Sequence, residues 1–143
     1  MKKLLFLTFS MFAPLFITAQ VELMDLSIVP TIKLDTVTGN VIVTANAELS
    51  ISFKINNENQ ASKVHILFGT NQNIGDILTV EADIIENSGV YYILLNGEQT
   101  PISNYSAKTA VTLTPQQLSS YNFITLYVEE TSGSYTDKLY FVK

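Results

Sequence analysis

A strict alternation of apolar and polar residues, repeated in short segments, is the feature of this sequence that most limits what it can fold into. The clearest example is residues 49–55, where the apolar positions are Leu49, Ile51, Phe53 and Ile55 and the positions between them are Ser50, Ser52 and Lys54. Successive side chains of a β-strand point to opposite faces, so this pattern predicts a strand with one buried face. Residues 20–143 contain no long segment with helical periodicity, and the chain is therefore expected to be built from strands.

Further strands are predicted wherever the same alternation recurs between polar turns. The predicted segments are residues 22–30, 63–69, 77–85, 90–97, 105–113, 121–130 and 135–143. The turns at 86–89 (ENSG) and 131–134 (TSGS) predict that the strands flanking each of them form a hairpin. Residues 31–46 resemble a further extended pair that turns at 38–40, and Pro30 is expected to break the first strand. About seven to nine strands with regular turn signals predict an all-β sandwich or barrel in one domain.

Residues 1–19 are predicted to be a signal peptide and not part of this domain. Lys2 and Lys3 precede an apolar stretch at 4–17, and Ala19 supplies the small residue that a cleavage site needs. The stretch is too short for a membrane-spanning helix, and Glu22 and Asp25 follow it closely, which argues against the alternative of a retained anchor helix. The expected layout is a signal peptide at 1–19 and a single domain at 20–143, with no transmembrane segment in the mature chain.

Charge and composition exclude several classes of function. Removing Lys2 and Lys3 leaves six lysines, no arginine and thirteen acidic residues, which is unsuited to binding nucleic-acid phosphates or anionic lipid. Without cysteine, the domain must be held together by core burial and not by disulfides. Lysine as the only strong base, with eleven asparagines and fourteen isoleucines, is typical of an AT-rich bacterial genome. Export to the periplasm, cell surface or exterior of a Gram-negative bacterium is therefore expected.

One stretch near the C-terminus resembles fibronectin type III domains. Leu113 and Pro115 are followed by Tyr121, and then by an alternating strand, a glycine-containing turn and a final strand. The resemblance implies an immunoglobulin-like antiparallel two-sheet sandwich, in which such a tyrosine pins a corner of the fold through its hydroxyl. Leu113, Pro115 and Tyr121 are therefore interpreted as structural corner residues and not as ligand contacts.

Residues that usually carry catalysis or bind metals are sparse. The one histidine, His65, is expected on the partly exposed face of a strand, and no cysteine or serine-nucleophile motif accompanies it. Glu81 and Asp83 share one strand face, and a solvated outer face is favoured for them over a glycosidase site. Neither a calcium-loop nor a zinc motif is present. The sequence therefore predicts no catalytic residue, no metal site and no cofactor.

These observations favour a non-catalytic module that binds another protein of the cell envelope or surface, for instance as an accessory subunit. Tyrosine suits interfaces because its ring is amphipathic. The candidates for surface contacts are Tyr91, Tyr105, Tyr135 and Tyr140. The alternative is a carbohydrate-binding module for a polysaccharide, because sugars stack on exposed aromatic rings, although the chain has no tryptophan. An enzyme is not expected.

Overall fold

The computed structural model describes residues 20–32 and 46–143 of the chain. Within these two ranges it contains nine strands, one short helix and a 3-10 turn at Glu58–Gln60. The strands are β1 (Glu22–Ile32), β2 (Ala47–Asn56), β3 (Ala61–Gly69), β4 (Leu78–Asn87), β5 (Val90–Leu95), β6 (Glu98–Pro101), β7 (Ser106–Leu113), β8 (Phe123–Glu130) and β9 (Leu139–Val142), and the helix is α1 (Pro115–Ser120).

The strands form two antiparallel sheets. The smaller sheet has the order β1-β2-β7, and the larger sheet has the order β6-β5-β4-β3-β8-β9. β1 lies beside β9, and β7 lies beside β5 and β6, so both edges of the larger sheet approach the smaller one. This arrangement confirms the predicted all-β, antiparallel two-sheet sandwich. The two predicted hairpins are also present, as β4–β5 and β8–β9.

The core forms between the two sheets because each strand turns its apolar face inward. In β2 the four apolar side chains of the alternating pattern are buried, whereas Lys54 is exposed. Phe68 of β3 and Leu126 of β8 belong to the same buried cluster and have no solvent-exposed surface. Burying a side chain of this size stabilises the fold by about 1.5–3 kcal/mol, so a core of many such residues can hold the domain without disulfides.

A short helix that the alternation does not predict connects β7 to β8. Its first turn is fixed by a capping box: the Gln117 N–H donates to Thr114 Oγ1 (3.2 Å) and the Thr114 N–H donates to Gln117 Oε1 (3.0 Å). Pro115 occupies the first turn, where the missing N–H costs nothing. The helix ends at Ser120 with Tyr121 as its C-cap, so β8 begins at Phe123 and not at residue 121.

The strand boundaries differ from the prediction in three further places. β1 continues through Pro30 to Ile32. Pro30 has no N–H to donate, but it is tolerated opposite Leu49 because β1 is an edge strand. β6 is too short and polar for its alternation to be recognised, and β9 covers only four of the nine residues predicted. The predicted signal peptide at 1–19 and most of the predicted extended pair at 31–46 lie outside the described residues.

Candidate functional site

The outer face of the larger sheet carries a compact group of polar and aromatic side chains. Strand register brings them together, because His65 of β3 lies opposite Glu81 of β4 on one side and opposite Tyr127 of β8 on the other. Glu129 follows two residues after Tyr127 on the same face, and Tyr135 reaches it from the segment between β8 and β9 through an isolated bridge. We call these five residues, His65, Glu81, Tyr127, Glu129 and Tyr135, the outer-face cluster.

His65 lies at the centre of this cluster and is nearly buried, with 8% of its surface exposed. The prediction that it is a partly exposed strand residue is therefore wrong, although its assignment to the outer face is right. Its Nδ1 lies 3.4 Å from Glu81 Oε1, and its Nε2 lies 3.3 Å from Glu129 Oε2. Each ring nitrogen of His65 therefore faces one carboxylate oxygen.

Aromatic rings cover His65 from the solvent side. The Tyr127 ring stacks on the imidazole with a centroid distance of 4.8 Å and an angle of 7° between the ring planes. The Tyr135 ring stands edge-on to both, 6.0 Å from His65 and 5.6 Å from Tyr127. Lys138 Nζ lies 5.3 Å from the centre of the Tyr127 ring, within reach of a cation–π interaction. Burial, together with Tyr135 and the neighbouring carboxylates, raises the pKa of Tyr127 above its usual value.

Lys63 of β3 lies beside the cluster, next to two carboxylates of β4. Lys63 Nζ donates to Glu81 Oε2 at 3.2 Å and lies 3.9 Å from Asp83 Oδ1. The hydrogen bond and attraction to Glu81 raise the pKa of Lys63. Glu81 and Asp83 are exposed on the outer face, as predicted, but they share Lys63 as a counter-ion. Glu81 therefore links the lysine to the histidine.

The loop between β3 and β4 folds back over the outer face and forms a wall beside the cluster. Asp76 closes this loop, because its carboxylate accepts from the Thr70 N–H (2.9 Å) and the Thr70 hydroxyl (2.7 Å), which lowers the pKa of Asp76. The Asn73 N–H donates to Thr125 Oγ1 (3.1 Å), a side chain of β8 on the same face as Tyr127. The Tyr140 hydroxyl donates to Asn73 Oδ1 (3.0 Å), so the loop holds the ring of an exposed tyrosine.

Two of the four tyrosines selected from the sequence lie on this face. Tyr135 is 60% exposed and Tyr140 is 43% exposed. Tyr105 is also 60% exposed, but it lies in the turn before β7, where its carbonyl accepts from the Ile55 N–H of the smaller sheet (2.8 Å). Tyr91 is half-buried and packs against the core, which leaves little of its ring for a partner.

The three residues interpreted as a structural corner surround the entry into β8. Leu113 is fully buried at the end of β7, Pro115 opens α1, and Tyr121 is 4% exposed. The Tyr121 ring meets Phe68 edge-on at 5.5 Å, and Lys143 Nζ lies 4.6 Å from its centre. Burial raises the pKa of Tyr121. The Tyr121 N–H donates to the Gln117 carbonyl (3.2 Å), but among the described residues its hydroxyl makes no hydrogen bond to the backbone, so the corner hydrogen bond implied by the resemblance is not seen there.

Sequence reasoning missed the importance of Tyr127 and the burial of His65. The alternation does place His65, Glu81 and Tyr127 on the polar faces of their strands, and that is the signal that could have identified them. Their pairing depends on β3 lying between β4 and β8, which the alternation does not specify. Within residues 20–32 and 46–143, no cluster of three or more histidine or carboxylate side chains is arranged to hold a metal ion.

No family model, curated protein or solved structure matches this chain. In the described part of the chain, no helix has the length and apolar character needed to cross a membrane.

Proposed function

We propose that this protein is a non-catalytic module that binds another protein of the cell envelope or surface, and that the outer-face cluster with Tyr140 is its contact surface. The observation that carries the proposal is the combination of two exposed rings, Tyr135 and Tyr140, with a rigid base beneath them. Tyr135 rests on Tyr127, which is stacked on His65, and Tyr140 is tied to Asn73. A ring that is already held loses little conformational entropy when a partner covers it.

A binding role fits the chemistry of the cluster better than catalysis does. Each nitrogen of His65 already faces a carboxylate and the ring is nearly buried, which leaves little room for a substrate to reach it. The combination of aromatic rings, carboxylates and lysines suits a protein–protein interface, where aromatic anchors are surrounded by polar contacts.

We further propose that the sandwich is of the immunoglobulin or fibronectin type III kind. In immunoglobulin variable domains the third strand lies between the fourth and the penultimate strands, and the first two strands belong to the opposite sheet. The order β9-β8-β3-β4-β5 in the larger sheet and the adjacency of β1, β2 and β7 in the smaller sheet support this assignment. Such domains frequently serve as interaction modules, which is an argument by analogy of fold. Export to the periplasm or surface of a Gram-negative bacterium is part of the proposal and depends on residues 1–19.

A carbohydrate ligand is the second candidate, since the exposed Tyr135 ring could stack on a sugar. The geometry favours it less, because the planes of Tyr127 and Tyr135 are 74° apart and do not form a flat platform. A protein partner has no need of coplanar rings.

The test is affinity purification from the producing cells, comparing the wild type with Tyr135→Ala and Tyr105→Ala. Tyr135 and Tyr105 are equally exposed, but only Tyr135 belongs to the outer-face cluster. We expect a stoichiometric partner with the wild type and with Tyr105→Ala, and at least about tenfold weaker recovery with Tyr135→Ala, as for an interface anchor. Equal recovery with both variants would show that the contact surface lies elsewhere. Retention on a polysaccharide with no protein partner would favour the second candidate.

A further inference from the structure

A groove opens at the side of the sandwich between β4 of the larger sheet and β7 of the smaller sheet. It encloses about 460 Å³. One wall is formed by residues 78–81, the other by residues 109–112, and the turn between β5 and β6 closes one end. Both walls consist of consecutive residues, whose side chains alternate between the two faces of a strand, so the groove follows the edges of β4 and β7 and not the face of a sheet.

The groove exists because β5 is shorter than β4. β5 pairs with residues 83–87 of β4 and then reverses at Asn96 and Gly97, which both have positive φ (52° and 82°) as a tight hairpin turn requires. Residues 78–82 of β4 therefore pair only with β3 among the described residues. In β7, Ser106 also bridges Ser103, but residues 107–113 pair only with β2 among the described residues.

Two strand edges thus face one groove. Residues 78–82 of β4 and residues 109–112 of β7 present backbone N–H and C=O groups that no described strand pairs with there, although β5 and β6 lie close to β7. An extended polypeptide satisfies such groups by adding a strand to the sheet, and no other common ligand matches their spacing. Five residues of strand span about 17 Å, which is the length of edge that β4 leaves uncovered.

The side chains along the groove define the chemistry of the segment that would fit. Leu78 and Val80 of β4 are half-buried against the core, and Val111 of β7 is buried, so alternate positions of the segment would meet apolar surface. The charged residues that line the groove are Glu48, Glu81 and Glu98, all of which are carboxylates, and Lys63 is a counter-ion for Glu81 alone among these three in the ion pairs described above. A segment with β-branched residues at alternate positions and lysine or arginine between them is complementary to both features.

We propose that this groove binds an extended, basic segment of the partner protein by strand addition to β4, β7 or both. This inference rests on the proposed function, because it names the chemistry of the partner. The groove is a different surface from the outer-face cluster, apart from Glu81 at the shared rim. An experiment can therefore refute the groove proposal without refuting the proposed contact surface.

The test uses the full chain and three synthetic ten-residue peptides. The first alternates valine and threonine and carries two lysines, the second replaces the lysines by glutamates, and the third has proline at its centre. Amide hydrogen exchange is measured by NMR with each peptide. We expect the lysine peptide to slow exchange at least tenfold in residues 78–82 or 109–112, and the other two peptides to bind at least tenfold more weakly.

A hairpin variant supplies the matched control on the protein side. Inserting Thr-Val before Asn96 and Val-Thr after Gly97 keeps the turn and lengthens β5 and β6, so that β5 would cover the free edge of β4. This variant should fold and should lose protection of residues 78–82 by the lysine peptide. Four results would overturn the proposal: no protection at either edge, equal binding of the glutamate peptide, protection of residues 78–82 in the wild type that the hairpin variant does not reduce, or protection that grows with protein concentration alone, which would indicate a second copy. None of these results bears on the comparison of Tyr135→Ala with Tyr105→Ala.

Discussion

Gly69→Ala tests whether the loop that walls the outer face is locked to the sheet as the structure indicates. A Cβ atom at residue 69 would lie 1.9 Å from the Ile74 carbonyl oxygen and 2.8 Å from its carbon. Side-chain carbons essentially never approach other atoms within 3.0 Å, so the loop backbone would have to retreat by about 1 Å. Side-chain rotation cannot relieve this clash, because the obstructing atoms belong to the backbone.

The loss of stability can be worked out from the contacts that the loop makes. Its retreat would lengthen the 3.1 Å bond from the Asn73 N–H to Thr125 Oγ1, and Thr125 is only 1% exposed. A buried hydroxyl that loses its partner costs about 1–3 kcal/mol, and forcing an atom into a packed site costs about 1–3 kcal/mol more. We therefore expect Gly69→Ala to lower the free energy of unfolding by about 2–6 kcal/mol. The loop would also release Tyr140, whose hydroxyl is bonded to Asn73.

The assay is urea unfolding followed by circular dichroism, with Gly75→Ala as the matched control in the same loop. A Cβ atom at residue 75 would meet Thr79 Oγ1 at 2.3 Å, which is the end of a side chain that can rotate, so we expect a loss of about 1 kcal/mol or less. With a slope of about 1–3 kcal/mol per molar urea, a 3 kcal/mol loss moves the midpoint by about 1–3 M. If Gly69→Ala were within about 0.5 kcal/mol of the wild type, or equal to Gly75→Ala, the loop would not be locked as described.

Three further predictions concern the hydrogen bonds and the core. Because the Asp76 carboxylate accepts two hydrogen bonds from Thr70, its pKa in the folded state lies below the ordinary 3.8; Asp76→Asn should lower the thermal midpoint near pH 7, and the difference from the wild type should shrink as the pH falls below 3.8, in melts recorded across that range. A constant difference at every pH would contradict this. Phe68→Ala, in the fully buried core, should cost about 3–5 kcal/mol in urea unfolding, and a loss below about 1 kcal/mol would refute the packing described. Thr114→Ala should cost about 1 kcal/mol by removing the cap of α1, with Thr114→Ser close to the wild type in the same assay.

The elements that the sequence predicts well are those whose local pattern and environment agree. In β2 and β7 buried residues alternate with more exposed ones along the whole strand, so alternation alone locates them. α1 was missed for the opposite reason: six residues are too few to show a 3.6-residue period, and its local signs were the Thr114–Gln117 capping signature and Pro115 in the first turn.

The candidate site could be predicted only in part. Exposure of Tyr135 and Tyr140 follows from their polar surroundings, but the burial of His65 depends on long side chains from two neighbouring strands that cover it. Which strands are neighbours is decided by packing across the whole domain, and a local pattern carries no information about that. The groove beside β4 is equally invisible in the sequence, since it depends on where β5 stops relative to its neighbour.

The strand order also has a consequence for how the chain folds. β2 pairs with β7 and β3 pairs with β8, so each sheet joins an early strand to one that lies far along the chain. Closing such long loops costs entropy before the contacts repay it, and domains with many non-local pairings fold slowly, in about milliseconds to seconds. The described residues up to 100 hold the β1–β2, β3–β4 and β4–β5 pairings and most of β6, but they lack β7 and β8, which complete the two sheets. The N-terminal half should therefore stay unfolded until β7 and β8 are available, and a chain that leaves a ribosome or a translocation channel N-terminus first would acquire its core only near the end of its passage.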